Sequence, residues 1–422
     1  MIEVAPRSAL SRRALLGAGA AAMAGACGRT ADPNGLSFWA MSTEGENAPL
    51  LLPAFERATG TKVEVQALPW TAAHEKMLTA HAGGSLPDVM MVANTWLAEL
   101  AMVGALAPVP PGALLADQFP AVLRAATIDG RAWGVPWVAD TWVQFYRTDL
   151  IAELGHQAPP TRRDEWRTMA RALKRRHPDR YATLMLLDWP EPLMNFAAQT
   201  GEPFLRDQGA RGNFSAPGFR DALGFYKTMF DEKFAPAIVS TEVGDSLASF
   251  ADGRFAILPS SGYLVGDLAK QAAAIPRARW SVARNPGPSG ASTALVAGVS
   301  LVVTRTSRNP AQAWALIRHL CAPATQLQFH ALTGDLPSRP SAWRQPALAR
   351  DPVAQVFAAQ LGECVAPPSI PEWARIYTEV QAVAERMVRG QFGVDAAARA
   401  MDAVVDRLLT KRRWLLSRGR IA

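Results

Sequence analysis

Cysteine is scarce in this chain of 422 residues, and three of them cannot build a disulfide scaffold. The six histidines are dispersed. His74 and His81 lie seven apart on one expected helix without a carboxylate to complete a metal triad, and they read as surface residues; no metal site is expected. No G-x-S-x-G, H-E-x-x-H, P-loop or C-x-x-C is present, so the common signatures of hydrolase, metalloprotease, nucleotide and redox chemistry are missing. No apolar run beyond the N-terminal segment is long enough to cross a bilayer. Internal repeats and low-complexity linkers are lacking too.

What remains is an apolar chain, 49% hydrophobic and 19% charged, which excludes disorder and has length for two or three domains. The net charge of +7 is modest for this size. The basic runs Lys174-Arg175-Arg176 and Lys411-Arg412-Arg413 read as solvated helix faces, so no nucleic-acid partner is expected. The segment Lys411–Ala422, with Trp414 and Leu415-Leu416, reads as a helix end, with membrane contact as the alternative. Tryptophan is abundant, thirteen against five tyrosines, and indoles suit flat ligands.

Residues 1–27 read as an export signal: Arg7, Arg12 and Arg13 precede the small, uncharged stretch Ala14–Ala26, which is too short to span a bilayer. Ser11-Arg12-Arg13-Ala14-Leu15-Leu16 resembles a twin-arginine motif, though paired arginines also occur in ordinary signals. Ala24-Gly25-Ala26-Cys27 resembles a lipobox with Ala where Leu is usual, which would acylate Cys27 and anchor the mature chain. Cleavage by ordinary signal peptidase is the alternative. Both routes place the protein outside the cytoplasmic membrane, where a disulfide between Cys321 and Cys364 is permitted.

The mature chain alternates. Leu36–Met41 reads as a buried strand, residues 42–45 as a turn, and residues 47–58 as a helix closed by Gly60. Thr61–Leu68 alternates as a strand, with Val63 and Val65 on one face. Thr71 is placed to cap a helix reaching His81, and Pro87–Ala93 is apolar on both faces, as parallel strands are. Asp129-Gly130 marks a hairpin, Val296–Thr304 is extended, and the chain beyond Asn309 reads as almost wholly helical. The expected class is α/β: parallel sheets covered by helices, in two lobes joined by more than one strand near residue 135. Trp70, Asn94-Thr95-Trp96 and Asp188-Trp189 follow apolar runs, and Trp137 and Asp140 lie at the crossing. Beyond strand C-termini ligands gather, and sugars offer C–H faces to indoles and hydroxyls to carboxylates.

Several blocks, in order, resemble a family 1 extracellular solute-binding protein of a bacterial ABC importer. They are Phe55–Val63, Leu86–Val89 with Trp96 and Gly104–Leu106, Gly134–Trp137 through Leu150, Phe250–Ile257, Ser307–Leu320 and Gly334–Pro337. The resemblance implies a periplasmic-binding-protein type II fold, with residues 36–139 plus 292–345 in lobe I and residues 140–291 plus 346–422 in lobe II. It also implies a ligand cleft between the lobes, no catalysis and no cofactor. The implied partners of a monomer are a small carbohydrate and the transmembrane subunits of a permease.

Pro136–Leu150 is similar to the trehalose/maltose-type subgroup and assigns a hydroxyl contact to Asp140. On this reading Trp70, Trp96, Trp137, Trp189 and Trp373 stack, and Glu44, Asn94, Asp140 and Asp188 bind hydroxyls. Ser261, Gly262 and Gly298 present small groups, and Tyr263 keeps an aromatic where the subgroup has Asn-Trp-Pro-Tyr. The Trp of that motif and the Trp of a Gly-Gly-Trp, here Ala297-Gly298-Val299, are absent. Two other readings stay open: a glycerophosphodiester ligand, for which Arg339 is the cation to inspect, and a secreted glycosidase using paired carboxylates.

Overall fold

The computed structural model describes residues 35–421; the expected export signal and Cys27 lie outside the described residues. β1 (Leu36–Met41), β2 (Val63–Leu68) and β3 (Val89–Ala93) run parallel, in the order β3-β1-β2. β3 is apolar and buried on both faces, whereas β2, at the sheet edge, turns Val63 and Val65 toward the core and leaves Glu64 and Gln66 exposed. Between β1 and β2 the expected turn at 42–45 is instead the first part of a short helix, Ser42–Asn47. It begins on Ser42 with φ +35°, a conformation that L-residues rarely adopt. The next helix, Leu52–Thr59, ends on Gly60 in the left-handed conformation, as its position requires. The helix after β2 starts at Trp70, with Pro69 rather than Thr71 at its N-cap.

Asp129 and Gly130, with φ of +49° and +72°, turn the hairpin of β4 (Thr127–Ile128) and β5 (Arg131–Ala132). β6 (Val135–Thr141) follows, and after the single residue Trp142 the chain enters a second sheet as β7 (Val143–Arg147). That sheet adds β8 (Tyr181–Thr183), β11 (Phe255–Ser260) and β12 (Trp280–Ala283), in the order β12-β7-β11-β8. β9 (Leu205–Arg206) and β10 (Arg211–Gly212) form a separate hairpin. β13 (Val296–Val303) and β14 (Leu336–Pro337) return to the first sheet, whose order is β14-β6-β13-β3-β1-β2. β13 is antiparallel to both β3 and β6, so the expected parallel sheet is mixed.

The chain therefore crosses between sheets at Trp142 and again between β12 and β13. One apolar cluster packs the first sheet around Phe38, Met91 and Trp137, and another packs helices around Trp166, Tyr226 and Trp373 beside the second sheet. A third, around Phe145, Phe250 and Phe357, includes residues of β6, β13 and β14 and so bridges the two. In the helix Arg163–Arg176 the core takes Trp166, Met169, Ala170 and Leu173 at helical spacing. Its basic end is solvated: Lys174 donates to the carbonyls of Pro178 and Arg180, and Arg176 pairs with Glu153.

Cys321 and Cys364 are both free and buried, so the permitted disulfide is not formed. Cys321 Sγ lies against the Pro136 carbonyl and Cys364 Sγ against Thr141 Oγ1, and burial pushes both thiols up to about 12. Among the described residues no helix is long and apolar enough to cross a membrane, and no group of three or more His, Cys, Asp or Glu could hold a metal ion.

Candidate functional site

A cavity of about 750 Å³ opens at the C-terminal ends of β1, β2 and β3. Ser42–Glu44 follows β1, Trp70 follows β2, and Asn94–Trp96 follows β3, so all three connections reach the cavity as strand ends in an open α/β sheet should. Trp96 is held between two rings: Trp70 meets it edge-on with centroids 5.8 Å apart, and His74 stacks on it at 4.8 Å. His74 is fixed in turn by the Glu99 carboxylate 2.9 Å away.

Elements packed on the second sheet supply the rest. Glu191 and Asn195 come from the helix Glu191–Ala198, Tyr263 and Asp267 from Tyr263–Lys270, and Trp373, Tyr377 and Thr378 from Trp373–Val388. Trp142, Val138, Asp140, Gly298, Ser261 and Asp335 also line the cavity. Trp142, the residue between the sheets, is braced edge-to-face by Trp189 at 5.9 Å.

Strand periodicity separates two expected ligand contacts. On β6, Val138 and Asp140 point to the cavity, so Trp137 points away, and it stacks on Phe329 at 4.4 Å in the first core. Trp137 is therefore a packing residue. Asp188 lies outside the cavity as well: its carboxylate accepts from the Ser240 amide at 2.9 and 3.1 Å and from the Ser240 hydroxyl, at the start of the helix Ser240–Val243. Trp189 stands behind Trp142 rather than facing a ligand. Arg339 is buried, and its guanidinium donates to the carbonyls of Cys321 (2.6 Å), Ala116 (2.7 Å) and Leu114 (3.1 Å), so it ties loops together and is not free for a phosphate.

Gly262 acts one step back. Its amide donates to Asp140 Oδ1 at 3.3 Å, and a Cβ there would come 2.6 Å from Leu336 Cγ, so only glycine fits. Gly298 has φ +120°, and a Cβ would stand 2.2 Å from the Val138 carbonyl oxygen. The expected residues that do line the cavity are Glu44, Trp70, Asn94, Trp96, Asp140, Ser261, Tyr263, Gly298 and Trp373. Those that sequence reasoning missed include Trp142, Glu191, Asn195, Asp267, Asp335 and Tyr377. Two carried a signal: Asp335 sits inside the Gly334–Pro337 block, and Tyr377 lies one helical turn after Trp373.

The electrostatics are one-sided. Among the described residues, five carboxyl groups line the cavity (Glu44, Asp140, Glu191, Asp267 and Asp335) and no Lys, Arg or His does. Burial first, then the charges of Asp335 and Asp140, raises Glu44 to about 8. Burial raises Asp140 to about 7 against the lowering hydrogen bonds of Ser261 and Gly262. Burial and the charge of Asp267 raise Asp335 to about 6, opposed by the Thr333 hydroxyl. Burial also raises Glu191. Asp267 is paired with Lys270 at 3.0 Å.

Donors are few and specific. Asn94 is buried; its Oδ1 accepts from Ser300 Oγ at 2.7 Å, and its Nδ2 has no partner among the described residues. Trp373 is almost wholly buried, and its Nε1 is also unpartnered among the described residues. An unpartnered buried donor is costly unless a ligand or water accepts from it. Carboxyl oxygens that accept, two N–H donors (one amide, one indole) and several aromatic faces suit an uncharged polyhydroxylated ligand.

Two α/β halves enclosing such a cavity between them define a binding protein of the periplasmic-binding-protein type II fold. The chain belongs to the family described as bacterial extracellular solute-binding protein, which matches residues 40–327. Among solved structures it is similar to the sugar-binding protein MalE from the phytopathogen Xanthomonas citri, with 40% identity and a TM-score of 0.86, over 91% of this chain and 99% of that one. A maltooligosaccharide ABC transporter solute-binding lipoprotein of Streptococcus pneumoniae is 23% identical, covering 83% of this chain and 82% of its own length. A putative binding protein of Brucella abortus is 24% identical, covering 85% and 88%. These relatives and structural neighbours are binding proteins rather than enzymes.

Proposed function

We propose that the protein captures an uncharged oligosaccharide of the maltose, trehalose or short maltooligosaccharide kind outside the cytoplasmic membrane and delivers it to an ABC permease. The observation that carries this reading is the wall itself: aromatic faces from Trp70, Trp96, Trp142, Tyr263 and Trp373, and five carboxyls with no cation among them. Ring C–H faces pack on the indoles, and sugar hydroxyls donate to the carboxylates and accept from Asn94 Nδ2. Closure of the two halves about the Trp142 crossing buries the ligand, and the closed form is what a permease recognises. The similarity to the sugar-binding MalE and to the maltooligosaccharide-binding lipoprotein supports a glucan ligand over other polyols. The acidic wall opposes a phosphodiester, whose charge it would repel, and Arg339 is already committed to three carbonyls.

The test is a thermal-shift screen, followed by titration calorimetry, with maltose, trehalose, maltotriose, longer maltodextrins, glucose and glycerophosphocholine. A ligand at a hundred times its dissociation constant adds about 2.7 kcal/mol of stability, a clear shift. A response to maltose-type sugars and silence from glycerophosphocholine is expected. Silence from every sugar defeats the proposal, and release of glucose during titration assigns hydrolysis instead.

A further inference from the structure

The helix Thr410–Ser417 and the residues after it carry a charge pattern that the ligand cleft does not use. From Arg407 to Arg420 there are six cations (Arg407, Lys411, Arg412, Arg413, Arg418 and Arg420) and no carboxylate. The helix is docked by one face only. Arg413 donates to the Ala210 carbonyl at 3.1 Å, and the Arg412 side chain lies over Gly209, both in the turn between β9 and β10. Lys411, Trp414 and Arg418, spaced i, i+3 and i+7, share another face, and all three are exposed.

Trp414 shows 51% of its surface, with the Arg420 guanidinium 5.8 Å from its ring centre. The acids of this corner are already engaged: Asp207 and Asp406 with Arg211, Asp395 with Arg220, and Asp402 with the amides of Phe214 and Ser215. No ion pair among the described residues reaches Lys411, Arg418 or Arg420.

We propose that this corner, centred on Lys411, Trp414, Arg418 and Arg420, is a docking surface for an anionic phospholipid membrane. Unpaired cations around an exposed indole, with the half-buried Leu415, Leu416 and Ile421 beside it, match a bilayer interface: charge attracts the headgroups and the ring sits at their level. A single-stranded nucleic acid would call for a longer basic groove with several stacking rings. The contact would hold the binding protein beside its membrane, independently of any acyl group, and it does not rest on the ligand assignment.

The experiment uses residues 35–422, which contain both sheets and all three apolar clusters but not the apolar N-terminal segment. Co-sedimentation is measured with vesicles of phosphatidylcholine alone and with about 30 mol % phosphatidylglycerol. Sedimentation with the anionic vesicles only, lost at about 0.5 M salt, is expected. At about fivefold per cation, the triple variant Lys411→Glu, Arg418→Glu, Arg420→Glu weakens binding by at least about 100-fold, with its melting temperature unchanged. Brominated lipid quenches the fluorescence of the parent protein, and Trp414→Phe removes that quenching. Equal binding to neutral vesicles, undiminished binding by the triple variant, or equally tight binding of a roughly 20-nucleotide single strand overturns the proposal.

Discussion

The two sides of the cavity are built differently. On the first sheet's side the lining residues follow parallel strands, each just beyond a strand end: Glu44 after β1, Trp70 after β2, and Asn94 and Trp96 after β3. On the other side Glu191, Tyr263, Trp373 and Tyr377 come from helices that are far apart in sequence and meet only through the second sheet and its cores. The first side is local and partly exposed: Trp70 keeps 37% of its surface accessible. The second is welded into the core, where Trp373 is 1% exposed and packs edge-on against Phe204 at 5.3 Å. Mutations should therefore separate binding from folding on one side and couple them on the other.

The largest effect is expected at that coupled side. Trp373→Ala removes a buried indole and should lower the unfolding free energy by ~3–5 kcal/mol, read by chemical denaturation. An unchanged transition would mean that the ring is not part of the core and would dissolve the contrast. Asp140→Ala comes next. It sits between the sides, and if it holds a sugar hydroxyl as proposed, its loss should weaken the best ligand of the screen by ~1–3 kcal/mol in titration calorimetry. Undiminished affinity would remove Asp140 from the site. Trp70→Ala should cost ~0.5–1.5 kcal/mol of affinity and leave the melting temperature of the unliganded protein nearly unchanged. If it unfolds the protein as readily as Trp373→Ala does, the two sides are alike after all.

The smallest expected effect is electrostatic. Glu44, Asp140 and Asp335 are raised in the folded protein above their ordinary values, to about 8, 7 and 6. The folded state thus binds more protons than the unfolded chain between those values and the ordinary carboxyl range, and stability declines as pH rises through that window. The melting temperature of the unliganded protein should fall from the ordinary glutamate value of 4.5 toward about 8, and Glu44→Gln should flatten the fall. A melting temperature that rises over this range in the parent protein would show that the carboxyls are not crowded as described.

Legibility in the sequence follows the same division. Local signals were sound for the buried strand Leu36–Met41, the left-handed Gly60, the Asp129-Gly130 turn, and the polar and aromatic residues after β1 to β3, though not for the turn expected at 42–45 or the cap expected at Thr71. Where side chains were assigned from sequence neighbourhood alone, the outcome depended on direction. Trp137 and Asp140 are three apart on one strand, and alternation sent the indole into the core and the carboxyl into the cavity. Asp188 and Trp189 end an apolar run that belongs to a strand only as far as Thr183, so the rule about strand ends did not apply to them.

The amino-acid sequence by itself determined the α/β alternation, the family and the strand-end residues of one cavity side, because propensity, turn chemistry and ordered motifs are properties of neighbouring residues. Tertiary structure alone decided that β13 lies antiparallel between β3 and β6, and that Trp142 stands at the crossing with Trp189 behind it. It also gathered five carboxyls around one cavity, with no cation among the described residues that line it. Those features are distances between segments remote in sequence, set by the packing of two sheets and three cores, and no local pattern records them.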